Sequence, residues 1–237
     1  MSQSNSELRM LTCINCGCQC KAAMYKVYGK EPSTKHVKLT DCHQCRKPID
    51  DYIELDDCIL FLDAILLKKR FYRHILNNEL STWQTTFKLS VLYLLSDAFF
   101  HWSKLTSRGS SYVEQEITFY IILFQVFLRN LFTYVCIVAT VCSMERNVDF
   151  QELFQGLILC SYVKLFQVPA VLWSSEFFNI TSYIIKTLLV LSMTQCLDVK
   201  TGKSTVTNFL IICSPLILLY LIELSTDSIN GINYLKT

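Results

Sequence analysis

The chain has almost no surplus charge. Its 22 Lys and Arg stand against 20 Asp and Glu, a formal net charge of +2, which is too little to attract nucleic acid. No apolar run follows the polar stretch Met1–Leu11, so no secretory leader is expected and the N-terminus should stay in the cytosol. Internal repeats, low-complexity tracts and a nucleophile elbow are all missing. Gly202-Lys203-Ser204 resembles the end of a phosphate loop. The place of that loop's first glycine holds Leu197, so the cradle is absent. His36 and Asp41 have the spacing of an acyltransferase base and its orienting carboxylate. They lie between cysteine pairs, one residue before Cys42, where the spacing is coincidental. No catalytic residue emerges, and the chain is not expected to be an enzyme.

What is present divides in two. Hydrophobic residues make up 51% of the 237, and the mean hydropathy is +0.32. Residues 1–54 are polar, whereas from Leu55 onward apolar runs alternate with short polar joints. Of the 22 Lys and Arg, 12 lie at or before Arg73. Of the 12 cysteines, seven fall within the first 58 residues. The other five, Cys136, Cys142, Cys160, Cys196 and Cys213, sit singly in apolar runs and read as small hydrophobes.

Cys13-x-x-Cys16 and Cys42-x-x-Cys45 define residues 1–54 as a zinc-ribbon-like module. A Cys-x-x-Cys turn aims two thiolates at one ion, and Gly17 suits the positive φ that follows such a turn. Two turns give four thiolates, a closed tetrahedral set for structural Zn²⁺ with no open position for catalysis. A redox dithiol would need only one pair. Disulfides are rare in a cytosolic setting, which also favours metal. Ala22–Tyr28 and His36–Thr40 read as strands, with Gly29–Ser33 as the turn between them. Cys18, Cys20, His36 and His43 read as spectators. A module this small needs its metal to fold.

Leu55–Arg73, within a segment spanning 55–80, reads as one amphipathic helix. Ile59, Phe61, Leu62, Ile65 and Leu66 form its apolar face, and Asp56, Asp57 and Asp63 its polar face. It either lies on a membrane, with its basic end at anionic headgroups, or packs on the ribbon. Residues 87–224 form the transmembrane region, and 225–237 a short polar tail. The apolar stretches are Phe87–Trp102, Ile117–Cys142, Leu153–Trp173, Phe177–Leu197 and Val206–Leu224. The last four are long enough to span, and the first is marginal. Five spans would put Arg146, Lys200 and Lys203 on the inner side and Lys104, Arg108 and Lys236 on the outer. Asn179-Ile180-Thr181 is a glycosylation triplet at a membrane edge, expected to be unused. Intramembrane charge is costly, about 2.5–3.5 kcal/mol per group. Arg129, Lys164 and Lys186 are therefore candidates for a lipid headgroup or for pairing inside the bundle. Asp97, near a span end, reads as snorkelling.

Several motifs together are familiar. Cys13-Ile14-x-Cys16-Gly17 is followed by Met24-Tyr25-x-x-Tyr28 and by Val37-Lys38-Leu39-Thr40-x-Cys42-x-x-Cys45. Asp51-Tyr52-Ile53-Glu54 and Tyr72-Arg73-His74-Ile75-Leu76-x-Asn78 then flank the amphipathic helix. This resembles the homology domain of the Arv family, over about residues 11–80. A weaker echo, Ser161-Tyr162-x-Lys164 and Pro169-Ala170-Val171-x-Trp173, lies further on. Cys18 and Cys20 depart from the pattern by crowding the first turn. The resemblance implies a multi-pass protein of the endoplasmic-reticulum membrane acting in sterol uptake and distribution. It also implies effects on sphingolipids and on delivery of glycosylphosphatidylinositol-anchor intermediates. Its partners would be those membrane lipids, or membrane-bound lipid-synthesis enzymes if the ribbon is instead an adaptor that scaffolds them.

Overall fold

The structure is a computed structural model that describes residues 8–28, 36–79, 82–105, 112–145, 148–173 and 178–234. The chain falls into two compact units, Met1–Ser81 and Thr82–Thr237. The expected fold class is observed: a small cysteine-clamped β module, then an all-α body.

The first unit opens with two hairpins. Strand β1 (Arg9–Thr12) pairs antiparallel with β2 (Gln19–Ala22), and β3 (Tyr25–Tyr28) with β4 (His36–Leu39). The first hairpin was not expected, and Ala22 belongs to it. Ala23 and Met24 separate the hairpins, and their carbonyls accept from the Thr40 hydroxyl and Thr40 N–H. The expected turn at Gly29–Ser33 lies outside the described residues. A core of Leu11, Cys13, Cys20, Cys42 and Ile49 lies beneath the turns.

The expected single helix is broken in two. Helix α1 (Asp57–Ile65) and helix α2 (Lys69–Arg73) are separated by Leu66–Lys68, and a π-turn (His74–Asn78) follows α2. Leu67 has φ 54°. Its N–H bonds Ala64 O at 3.0 Å, and Lys68 N–H bonds Asp63 O at 3.1 Å. These are the two reversed bonds of a Schellman cap, with leucine where glycine is usual. The faces of α1 also differ from expectation. Asp63 is buried and held by Tyr52 Oη (2.6 Å) and Lys68 Nζ (2.6 Å). Ile59, Phe61, Leu62 and Leu66 are exposed instead. A buried carboxylate is tolerated because two donors replace its water.

The second unit is a helical bundle: α3 (Trp83–Leu105), α4 (Tyr112–Met144), α5 (Phe150–Leu159), a 3₁₀ segment (Cys160–Phe166), α6 (Gln167–Trp173), α7 (Phe178–Thr201) and α8 (Thr205–Tyr234). Four stretches among the described residues are long and apolar enough to cross a membrane: 112–144, 150–173, 180–201 and 205–222. Helix α3, at 23 residues, has the length to cross but is more polar. Helix α8 runs on to Tyr234, through most of the expected tail.

Two irregularities have local causes. Pro169 has no N–H to donate to the carbonyl four residues earlier, and the chain ahead of it is wound as a seven-residue 3₁₀ segment. Pro215 is buried inside α8 and leaves the Ile211 carbonyl without its usual amide. The Ser214 hydroxyl donates to that carbonyl at 3.0 Å, as apolar surroundings require. Gly202, at φ 66°, ends α7, so Gly202-Lys203-Ser204 is a helix connection and not a phosphate loop.

Candidate metal centre and intramembrane cavity

The two Cys-x-x-Cys turns have the same construction. Gly17 N–H bonds Cys13 O at 2.8 Å, and Arg46 N–H bonds Cys42 O at 3.0 Å. The residue after each pair has positive φ: Gly17 at 81° and Arg46 at 57°. The turns are joined by Ile14 N–H to Ile49 O at 2.9 Å. Cys13 Sγ lies 3.6 Å from Cys45 Sγ, and Cys16 Sγ lies 3.7 Å from Cys42 Sγ. All four sulfurs fall within 4.8 Å of one another. Two metal–sulfur bonds of about 2.3 Å at the tetrahedral angle separate their sulfurs by about 3.8 Å. The four cysteines expected from the sequence thus form one group able to hold a tetrahedral ion.

The thiols are electrostatically uneasy without one. Burial pushes Cys13 up to about 12. Burial raises Cys42 too, but the amides of Cys45 and Gln44 and the neighbouring thiols outweigh it and bring Cys42 down to about 6. One thiolate forms readily and opposes the next. A dication removes that conflict.

Residues behind the turns lock them in place. Arg73 donates to Ile14 O (3.0 Å) and Asn15 O (2.8 Å). Its guanidinium also lies 3.3 Å from where a Cβ on Gly17 would stand. Asn78 pairs with both backbone groups of Thr12, at 2.8 and 2.9 Å. Asp50 Oδ2 accepts from His74 Nδ1 and from Asn78 Nδ2, both at 2.7 Å. The motif Tyr72 to Asn78 is therefore the clamp on the first turn.

Buried His74 gives this clamp a pH dependence. Burial opposes the imidazolium, but Asp50, seconded by Glu79, outweighs it and holds the pKa above 6.5. A raised folded-state value stabilises fully below the unfolded pKa and is lost as pH rises through the folded one. His74→Gln should therefore cost about 1–3 kcal/mol below pH 6.5. The gap between variant and wild type should narrow as pH rises above that value. Thermal melts of both at matched pH check it. A constant gap would show that His74 acts by shape alone.

In the second unit, Asp97 is the centre of a polar cluster. The expectation that it snorkels is corrected: it is 4% exposed. Its carboxylate is 3.3 Å from Lys164 Nζ and 3.7 Å from Arg129. Asn130 and Gln167 donate to it, each at 3.3 Å. Lys164 also donates to Asn130 Oδ1 at 2.8 Å, and Arg129 lies 2.8 Å from His101 Nε2. The 3₁₀ segment places Lys164 here, buried. These groups line a cavity of about 300 Å³ that Lys186 of α7 also borders. All three cations expected from the sequence thus meet at one cavity. Asp97, expected to snorkel, and Asn130 and Gln167, which the sequence does not single out, complete it. Gln167 Oε1 is buried without a hydrogen-bond partner among the described residues. A second, more apolar cavity of about 230 Å³ shares Asn130, Tyr134 and Lys164 with the first.

Elsewhere the expectations thin out. Asp41 pairs with Lys38 at an exposed position, and the His36 and Asn179 side chains lie outside the described residues, as do Arg108, Arg146 and Lys236.

A module with a four-cysteine group able to hold a metal ion, followed by four membrane-capable helices, defines a multi-pass membrane protein. Comparison with known proteins narrows this. Residues 12–197 match the Arv1-like family, and the chain belongs to it. It is 30% identical to Protein ARV1 of Mus musculus over 219 residues, covering 87% of this chain and 79% of that one. Identity to Protein arv1 of Schizosaccharomyces pombe is 26% over 206 residues, covering 81% and 76%. No solved structure matches the chain.

Proposed function

We propose that this protein serves sterol and lipid homeostasis in the endoplasmic-reticulum membrane by taking up and handing on a membrane lipid without altering it chemically. The observation that carries this is the cavity around Asp97. Arg129, Lys164 and Lys186 against one carboxylate leave it cationic. Such a cavity favours a lipid with phosphate in its headgroup. Among the lipids the family resemblance implies, glycosylphosphatidylinositol precursors and phosphate-bearing sphingolipids fit best. The adjoining apolar cavity suits the start of an acyl chain.

The cap would carry structural Zn²⁺ on Cys13, Cys16, Cys42 and Cys45 and face the reducing cytosol, where its thiols persist. The exposed apolar side of α1 would rest on the bilayer surface, with Lys68 and Lys69 near anionic headgroups.

Purified protein in vesicles should accelerate transfer or flipping of a labelled phosphate-bearing lipid. Lys186→Met should slow it about tenfold, since a hydrogen bond to a charged group is worth about 1.5–3 kcal/mol. No acceleration by correctly inserted, zinc-replete protein would overturn direct lipid handling and leave the scaffold reading.

A further inference from the structure

We propose that Cys18, Cys20 and His43 form a second metal site that shares the Cys42 thiolate with the four-cysteine centre. Cys18 and Cys20 follow the first turn, with Cys20 on β2 opposite Leu11. His43 is the first residue inside the second turn, directly after Cys42. The same fold that brings the two turns together therefore brings these three side chains together.

The distances are those of a ligand set. Cys20 Sγ lies 3.4 Å from His43 Nδ1, the nitrogen that would hold the ion, and Cys18 Sγ lies beside the ring, 3.6 Å from Nε2, which cannot serve the same ion. One ligand atom from each of the three fits within 4.8 Å of the others. A tetrahedral zinc with ordinary bond lengths separates sulfur from nitrogen by about 3.6 Å. The link to the first centre is Cys20 Sγ to Cys42 Sγ at 3.9 Å, close to the tetrahedral sulfur–sulfur edge. An ion on Nδ1 would have Cys42 within reach as its fourth ligand. Cys42 then bridges two ions, one on each side of its sulfur.

Charge supports two ions over one. Six thiolates around a single dication would leave two more negative charges than the four-cysteine site carries alone. A second dication cancels the pair that Cys18 and Cys20 add. Two thiolates and an imidazole select a soft or borderline ion, with Zn²⁺ first among the common ones. Both sites mix buried and accessible ligands: Cys13 and Cys42 are buried and Cys16 exposed in the first, and Cys20 is buried and His43 exposed in the second.

The inference rests on reading the four-cysteine group as a metal site, and metal counting separates the two. Full-length protein, purified in detergent under reducing, zinc-replete conditions, should hold two zinc ions per chain by elemental mass spectrometry. His43→Ala and Cys18→Ser, both at accessible positions, should each hold one and keep the cap protected from protease. Cys58→Ser should still hold two. One equivalent in wild type and in His43→Ala alike would overturn the second site and leave the first standing. None in wild type would overturn both. A Cys18–Cys20 disulfide in the reduced preparation's intact mass would likewise overturn the second site.

Discussion

Replacing Cys45 with Ser should unfold the cap and leave the helical unit folded. The core under the turns has five buried members, three of them cysteines. Burying Leu11 and Ile49 is worth about 1.5–3 kcal/mol each. Ordering the backbone costs about 1–2 kcal/mol per residue. The apolar contribution beneath the turns is therefore small, even with Ile14, Tyr72 and Leu76 buried in the same unit, and a structural metal would supply about 10–16 kcal/mol in a module of this kind. Three thiolates do not close a tetrahedron. The loss should also spread beyond the turns. Arg73 and Asn78 are bonded to Ile14, Asn15 and Thr12, so α2 and the π-turn lose their seat when the first turn collapses. Hydrogen exchange on the detergent-solubilised chain should show protection lost from Leu11 to Asn78 and kept in α4 to α7. Cys58→Ser, at an exposed and unshared thiol, should change nothing. Unaltered protection in Cys45→Ser would mean that the metal is dispensable to the fold.

The legible part of this molecule was whatever is written in short spacings or long apolar runs. The four cysteines could be read because a Cys-x-x-Cys turn is a local device, and the spans because length against bilayer thickness is a local test. The break in α1 could not be read, because Leu66-Leu67-Lys68 holds no glycine or proline to mark it. It is imposed by Asp63, which is buried and draws Lys68 back onto itself. That contact also reversed the expected faces: an aspartate among leucines looks solvated until a tyrosine eleven residues earlier is known to cover it. Asp97 was misread for the same reason. Apart from His101 one turn on, its partners lie 32 to 70 residues away, on α4, the 3₁₀ segment and α6. Arg129, Lys164 and Lys186 were individually suspect as charges in apolar runs, but nothing local says that they share one cavity.

Asp97→Asn should be the most destabilising single change in the helical unit. It leaves the buried Lys164 ammonium with Asn130, the Tyr134 ring and a neutral amide for company, and Arg129 without its carboxylate. Removing one partner of a buried pair costs about 3–5 kcal/mol. For a unit of this size that corresponds to a fall in Tm of about 10 °C, measurable by thermal unfolding in detergent. Lys164→Met alone should cost less, because Arg129, Asn130 and Gln167 still attend Asp97. The double variant Asp97→Asn/Lys164→Met removes both charges and should regain most of the loss, since replacing a buried pair by neutral groups is often close to neutral. That recovery is what separates architecture from recognition. If the cluster exists only to hold helices together, the double variant should carry and transfer lipid like wild type. If Lys164 meets a headgroup phosphate, the double variant should be stable yet copurify with far less phosphate-bearing lipid by native mass spectrometry. The buried ammonium would then be kept for its ligand and not for the fold, with Asp97 holding its charge in place while the cavity is empty.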